Sequence, residues 1–161
     1  MLRSIFVFLR SYPLHVLVWK IRCKLLRIKI PAIAEWQYYF ENKKGIEIGG
    51  PSAIFDKNGY FTLYPFIASL DGVNFSKQTV WEGSLSENKP FYFGGSQGKQ
   101  IICEGSQLKS IPDGSYDFLI SCNNLEHIAN PIATIFEWKR VLNNEGVMLL
   151  VLPNKVSNFD H

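Results

Sequence analysis

Residues 45–161 of this 161-residue chain predict an α/β domain built on a largely parallel sheet. Three observations carry that expectation. Tyr116 through Cys122 and Val147 through Leu152 are apolar runs of strand length, with a helical pattern between them. Strand, helix, strand in that order is a βαβ unit, whose two strands run parallel. Finally, Gly45-Ile46-Glu47-Ile48 is a short apolar strand that ends at a Gly49-Gly50-Pro51 turn.

The chain opens differently. Residues 1–34 carry seven Lys and Arg and no acid, so with +3 overall the rest of the chain is −4. Residues 1–44 read as a mostly helical arm, broken near Tyr12-Pro13 and Ile30-Pro31. Its apolar stretches, Ile5 to Leu9 and Leu14 to Trp19, are interrupted by basic residues. A membrane span needs about 20 apolar residues in a row. A signal peptide needs an apolar stretch where this arm has four basic residues. The arm therefore suits either packing on the domain or an anionic membrane surface. Cys23, Cys103 and Cys122 are widely spaced and form neither a disulfide framework nor a zinc pattern, and no metal site is expected. A reducing cytoplasm, peripheral to the membrane if the arm binds lipid, is the expected location.

After the first strand, residues 55–99 are rich in Gly, Asn, Ser and aromatics and give little pattern. Short strands are expected near Phe61–Tyr64 and Gln100–Cys103. The turn Pro112-Asp113-Gly114-Ser115 introduces the strand Tyr116–Cys122. Asn130 is a natural N-cap, with Pro131 at the first helical position, where its missing N–H costs nothing. Ile132, Ile135, Phe136, Trp138 and Leu142 define one apolar face of that helix, and Asn143 to Gly146 stop it. The run Val147–Leu152 then reads as a strand buried on both faces.

Ligands of open parallel sheets bind outside the carboxyl ends of the strands. Attention falls on Glu47 to Ser52, Cys103 to Gln107 and Cys122 to His127. Small residues after Glu47 let a ligand approach the backbone, and the carboxylate either receives an ammonium or hydroxyl group or serves the turn. The spacing is not GxGxxG and no P-loop lysine follows, which disfavours nicotinamide and phosphate-loop chemistry. Glu126 and His127 either transfer protons or start the helix and pack on the sheet edge. No nucleic-acid motif is present, although the basic arm alone does not choose RNA over lipid.

Taken together, Tyr116-Asp117-Phe118-Leu119-Ile120-Ser121, Leu125-Glu126-His127, Asn130-Pro131, Glu137 to Leu142, Gly146 and Leu150 to Lys155 resemble class I S-adenosylmethionine-dependent methyltransferases of the small-molecule kind. Glu47-Ile48-Gly49-Gly50-Pro51-Ser52 sits where that family has its first glycine-rich motif. The resemblance implies a Rossmann-like sheet with flanking helices, binding S-adenosylmethionine and methylating a small-molecule or glycan-type acceptor. It implies that Glu47, Gly49 and Gly50 hold the amino-acid end of the cofactor and that Asp71, after the second strand, binds its ribose. Gln107, after the third strand, then contacts adenine, and Asn123 and His127 line the cofactor and acceptor side. Pro51 and Ala53 replace glycines common in the family, and Gln107 stands where an Asp is common. Glu126, His127 and His161 are the candidate bases if the acceptor must lose a proton. The chain stops shortly after the fifth strand of a fold that normally adds two more. That predicts an apolar sheet edge prone to self-association, and little activity from this chain alone. A non-catalytic module that only holds cofactor, or a membrane-surface protein, is the alternative.

Overall fold

The computed structural model describes Val18 and residues 33–76, 78–79, 83–84 and 89–154. The arm ahead of Ile33, apart from Val18, lies outside the described residues, as does His161. A one-turn helix α1 (Ile33–Trp36) leads into the sheet strand β1 (Lys44–Ile48), then β2 (Ser69–Asn74). A two-residue pair, β3 (Gln78–Thr79) and β4 (Gly83–Ser84), precedes the hairpin β5 (Pro90–Phe93) and β6 (Ser96–Ile102). The chain closes with β7 (Tyr116–Cys122), helix α2 (Pro131–Val141) and β8 (Leu142–Val151).

Six strands form one sheet in the order β5-β6-β2-β1-β7-β8, with every neighbouring pair parallel except β5 and β6. Among the parallel strands alone, β2 and β6 lie on one side of β1 while β7 and β8 lie on the other. That reversal is the switch point of a Rossmann-like α/β sheet. Parallel strands must be covered on both faces. On one face, Ile46, Ile48, Val73 and Leu119 pack against Trp138 and Val141 of α2. On the other, Leu70, Phe118 and Ile120 pack against Phe40 and an aromatic loop holding Phe55, Phe61, Leu63 and Tyr64. Among the described residues, that second face is covered by loop and hairpin in place of flanking helices.

Several local expectations fail for identifiable reasons. Phe61–Tyr64 is a loop. Its amides are satisfied by the turn at Ala53–Phe55, since Phe61 N–H donates to Ile54 O and both Leu63 and Tyr64 N–H donate to Phe55 O. Its large residues face the core without a neighbouring strand. Conversely, Ser69–Asn74 contains few strand-favouring residues, yet it pairs on both sides, with β1 and β6. The expected strand at Gln100–Cys103 is the end of the longer β6.

Helix α2 begins as expected, with the Asn130 side chain accepting from Ala133 N–H at 3.1 Å. Its buried face agrees with the expected one at Trp138 and Leu142 and departs from it at the other three positions. Thr134, Trp138 and Val141 point inward, while Ile132 and Phe136 are 68% and 69% exposed and Ile135 is exposed as well. The spacing 134, 138, 141 is equally helical, and Trp138 supplies the bulk that the sheet accepts. The sheet's last strand is also not buried on both faces. Val147 to Val151 are only half-buried because β8 is the edge of the sheet among the described residues, and Leu152 is exposed. Between Leu142 and Val147, β8 bulges out of register with β7, so Asn143 to Gly146 interrupt the ladder after the helix ends.

Candidate functional site

A cavity of about 560 Å³ opens where the carboxyl ends of β1, β2, β6 and β7 converge. Its size falls within the range of roughly 300–1,000 Å³ usual for small-molecule sites. From β1 come Ile48, Gly49 and Pro51; from β2, Val73 and Phe75. Past β6, Glu104 and Gly105 form a wall, and past β7 come Cys122, Asn123, Asn124, His127 and Ile128.

The turn after β1 is held from below. Glu47 is fully buried; its Oε1 accepts from Ser52 N–H at 3.0 Å and its Oε2 from the Tyr64 hydroxyl at 2.7 Å. Ser52 N–H also donates to the Tyr64 hydroxyl oxygen at 2.8 Å. Burial, followed by the neighbouring Glu47 charge, raises the Tyr64 hydroxyl well above the tyrosine range, so it stays a donor. Gly50 lies directly over this carboxylate, and a Cβ there would come within 2.1 Å of Glu47 Cδ. Gly49 has φ +79°, a left-handed conformation that favours glycine, and a Cβ there would meet Asn124 Nδ2 at 2.3 Å. Glycine at both positions therefore follows from the packing beneath and beside the turn.

Asn74 ties β2 to this turn. Its Nδ2 donates to Gly50 O at 3.0 Å, while its buried Oδ1 has no hydrogen-bond partner among the described residues. At the far side Cys122 is half-buried, and its thiol is pushed up to about 11, first by burial and then by Glu47 and Glu126. Such a thiol is a poor nucleophile near neutral pH. Glu126 approaches the His127 imidazole only to 3.9 Å, too far for a hydrogen bond.

The described residues expected from sequence divide into three groups. Gly49, Asn123 and His127 line the cavity, and Asn123 adopts φ +48° on the turn out of β7. Glu47 and Gly50 support the same turn without being among the lining residues. Asp71 is not after the second strand. It lies inside β2, three residues before the strand ends, and it accepts from Lys99 N–H and the Tyr116 hydroxyl, each at 2.8 Å. Gln107 is exposed on the turn beyond the wall, its N–H donating to Glu104 O. Glu126 is exposed beside His127 without lining the cavity. Glu104 and Asn124 fall within the strand-end stretches that the sequence marked, without a role assigned to either, and Phe75 falls outside them. Glu104 was within reach, being the first acid past an expected strand; the β2 register that places Phe75 was not.

The lining chemistry narrows the ligand. Glu104, two Asn amides and one imidazole are its polar side chains, with no Lys or Arg among the described lining residues. That set suits a neutral or cationic polar ligand, and it offers nothing to neutralise a pyrophosphate. The orphaned Asn74 Oδ1 lies beside the turn, buried and outside the lining. An S-adenosyl sulfonium carrying an ammonium group fits this donor set. Among the described residues, no three His, Cys, Asp or Glu side chains are grouped to hold a metal.

No curated protein matches the chain. The family described as the methyltransferase domain matches residues 59–150, from the aromatic loop to the end of β8, leaving the Glu47-to-Ser52 turn ahead of the match. With more than half of its length in that match and a Rossmann-like sheet around the cavity, the chain belongs to the methyltransferase domain family.

Proposed function

We propose that the cavity binds S-adenosylmethionine and that the domain transfers its methyl group to a small-molecule or glycan-type acceptor. The observation that carries this reading is the cavity's position and lining. It lies at the switch point of the sheet, beside a glycine turn, with a carboxylate and amides but no cationic side chain among the described residues. Bound there, the sulfonium supplies a methyl group that is already activated for attack. The protein's own task is then mainly alignment, and positioning is worth up to about 7–11 kcal/mol of a barrier.

The geometry supports the following roles. Gly49 lets the backbone of the turn come close to the ligand, and Glu47 with Tyr64 fixes that turn. Glu104, just past β6, takes the adenosine-side role that the resemblance gave to Gln107. Asn123 and His127 border the acceptor side. If the acceptor is a hydroxyl, His127 is the group placed to take its proton.

Isothermal titration with S-adenosylmethionine and S-adenosylhomocysteine tests the binding. Glu104→Ala is expected to weaken binding by about 1–3 kcal/mol, the scale for a hydrogen bond to a charged group. Absence of binding to the folded chain would overturn the reading. Transfer of labelled methyl to an acceptor panel tests the second half; binding without transfer to any acceptor would leave a cofactor-holding module.

A further inference from the structure

Helix α2 does not border the cavity, yet it holds one wall of it. Trp138 is fully buried, and its indole N–H donates to the carbonyl of Gly105 at 2.7 Å. Gly105 is a lining residue, and Glu104 beside it carries the carboxylate of the cavity. Within the same turn of the helix, Glu137 Oε1 accepts from Leu108 N–H at 2.8 Å, and Arg140 donates to Leu108 O and Ile111 O, both at 2.9 Å. The segment from Gly105 to Ile111 is thus bonded to α2 at successive backbone groups, and Trp138 is the contact at its cavity end.

We infer that Trp138 is a positioning residue, whose indole N–H fixes the Gly105 carbonyl and so sets where the Glu104 wall stands against the ligand. The physical argument is that this wall is loop. Between the end of β6 and the start of β7, residues 103–115 include no regular ladder. A buried carbonyl with a single strong donor resists displacement, because leaving it unpaired costs a full desolvation penalty. The indole ring serves the core as well, but packing against Ile48 and Leu108 requires only its shape. The N–H is what addresses the wall.

The inference rests on the cavity being the S-adenosylmethionine site, and the experiment separates the two. In the full chain, Trp138 is replaced by 3-benzothienylalanine, which keeps the bicyclic shape and puts sulfur where the N–H was. Trp138→Phe serves as a second variant, and Phe136→Ala on the outer face of the same helix as a control. Hydrogen exchange without ligand is expected to show faster exchange at residues 105–111 in the isostere but not in the control. Titration is expected to show about ten-fold weaker S-adenosylmethionine binding by the isostere, with a Tm close to that of the unmodified chain. Unchanged exchange in the isostere would overturn the inference, as would unchanged affinity where the unmodified chain binds. If the unmodified chain binds no S-adenosylmethionine, the proposed function fails, and exchange alone decides whether Trp138 fixes the wall.

Discussion

Glu47 shows how a single buried side chain can fix the turn beside a cavity without being among its lining residues. A carboxylate buried beneath Gly50 must have its lone pairs satisfied, and Ser52 and Tyr64 do this from the turn and from the aromatic loop. Tyr64→Phe removes one donor to this buried carboxylate, so it is expected to destabilise the fold by about 1–3 kcal/mol. Urea unfolding measures this. Glu47→Gln is expected to lower stability and cofactor affinity together; a loss of affinity at unchanged stability would mean that the carboxylate meets the ligand directly. Sequence left open whether Glu47 serves a ligand or the turn, because spacing does not show Tyr64 arriving from a loop. The same residues set an alkaline limit. In the fold, Tyr64 and Tyr116 keep their protons above the ordinary 10.0, and Cys122 keeps its own from 9.0 up to about 11. The native state then holds more protons than the unfolded chain, and stability falls as pH rises through that window. Unfolding midpoints measured from pH 8 to 11 are expected to drop, and less steeply in Tyr64→Phe. Cys122 is expected to resist iodoacetamide at pH 8 until the chain unfolds.

Among the elements, α2 carries two stripes at helical spacing. Ile132, Ile135 and Phe136 form one, and Thr134, Trp138 and Val141 the other. Periodicity alone does not say which faces the sheet. Phe136→Ser on the exposed stripe is expected to change stability by no more than about 0.5 kcal/mol, whereas Trp138→Ala should cost about 3–5 kcal/mol through the cavity it leaves. Thermal and urea unfolding of the two variants check this contrast. Arg140 adds a clamp, bonding Glu137, Asp113 and the carbonyls of Leu108 and Ile111. It holds the Glu137 carboxyl below the usual range, so that contribution is present near neutral pH and is lost as Glu137 protonates in acid. In Arg140→Met the acid-side fall in stability should be shallower. The β2 strand was illegible for a related reason: Asp71, Gly72 and Asn74 are weak strand formers, and two flanking ladders impose the conformation.

For the whole molecule, charge asymmetry makes a prediction that the sheet does not. The seven basic residues within residues 1–34, free of acid, are expected to draw the chain to anionic vesicles, with binding that falls as salt rises. Sedimentation with anionic and neutral vesicles measures it, and equal partition would assign the arm to packing on the domain. Among the described residues no helix is long and apolar enough to cross a membrane.

By itself the sequence determined the parallel α/β class, β1, β7, the capped start of α2, and the strand ends around which the cavity opens. Each of these depends on local signals: an apolar run, a cap, or a turn residue. Only the tertiary structure decided that Asp71 lies within a strand and bonds Tyr116, that Glu104 and not Gln107 lines the cavity, and that Trp138 reaches its wall. Those assignments depend on the register of β2 and β6 and on which stripe of α2 turns inward. Register and facing are fixed by contacts between segments far apart in the chain, here Asp71 with Tyr116 and Trp138 with Gly105. No window of neighbouring residues contains both members of either pair.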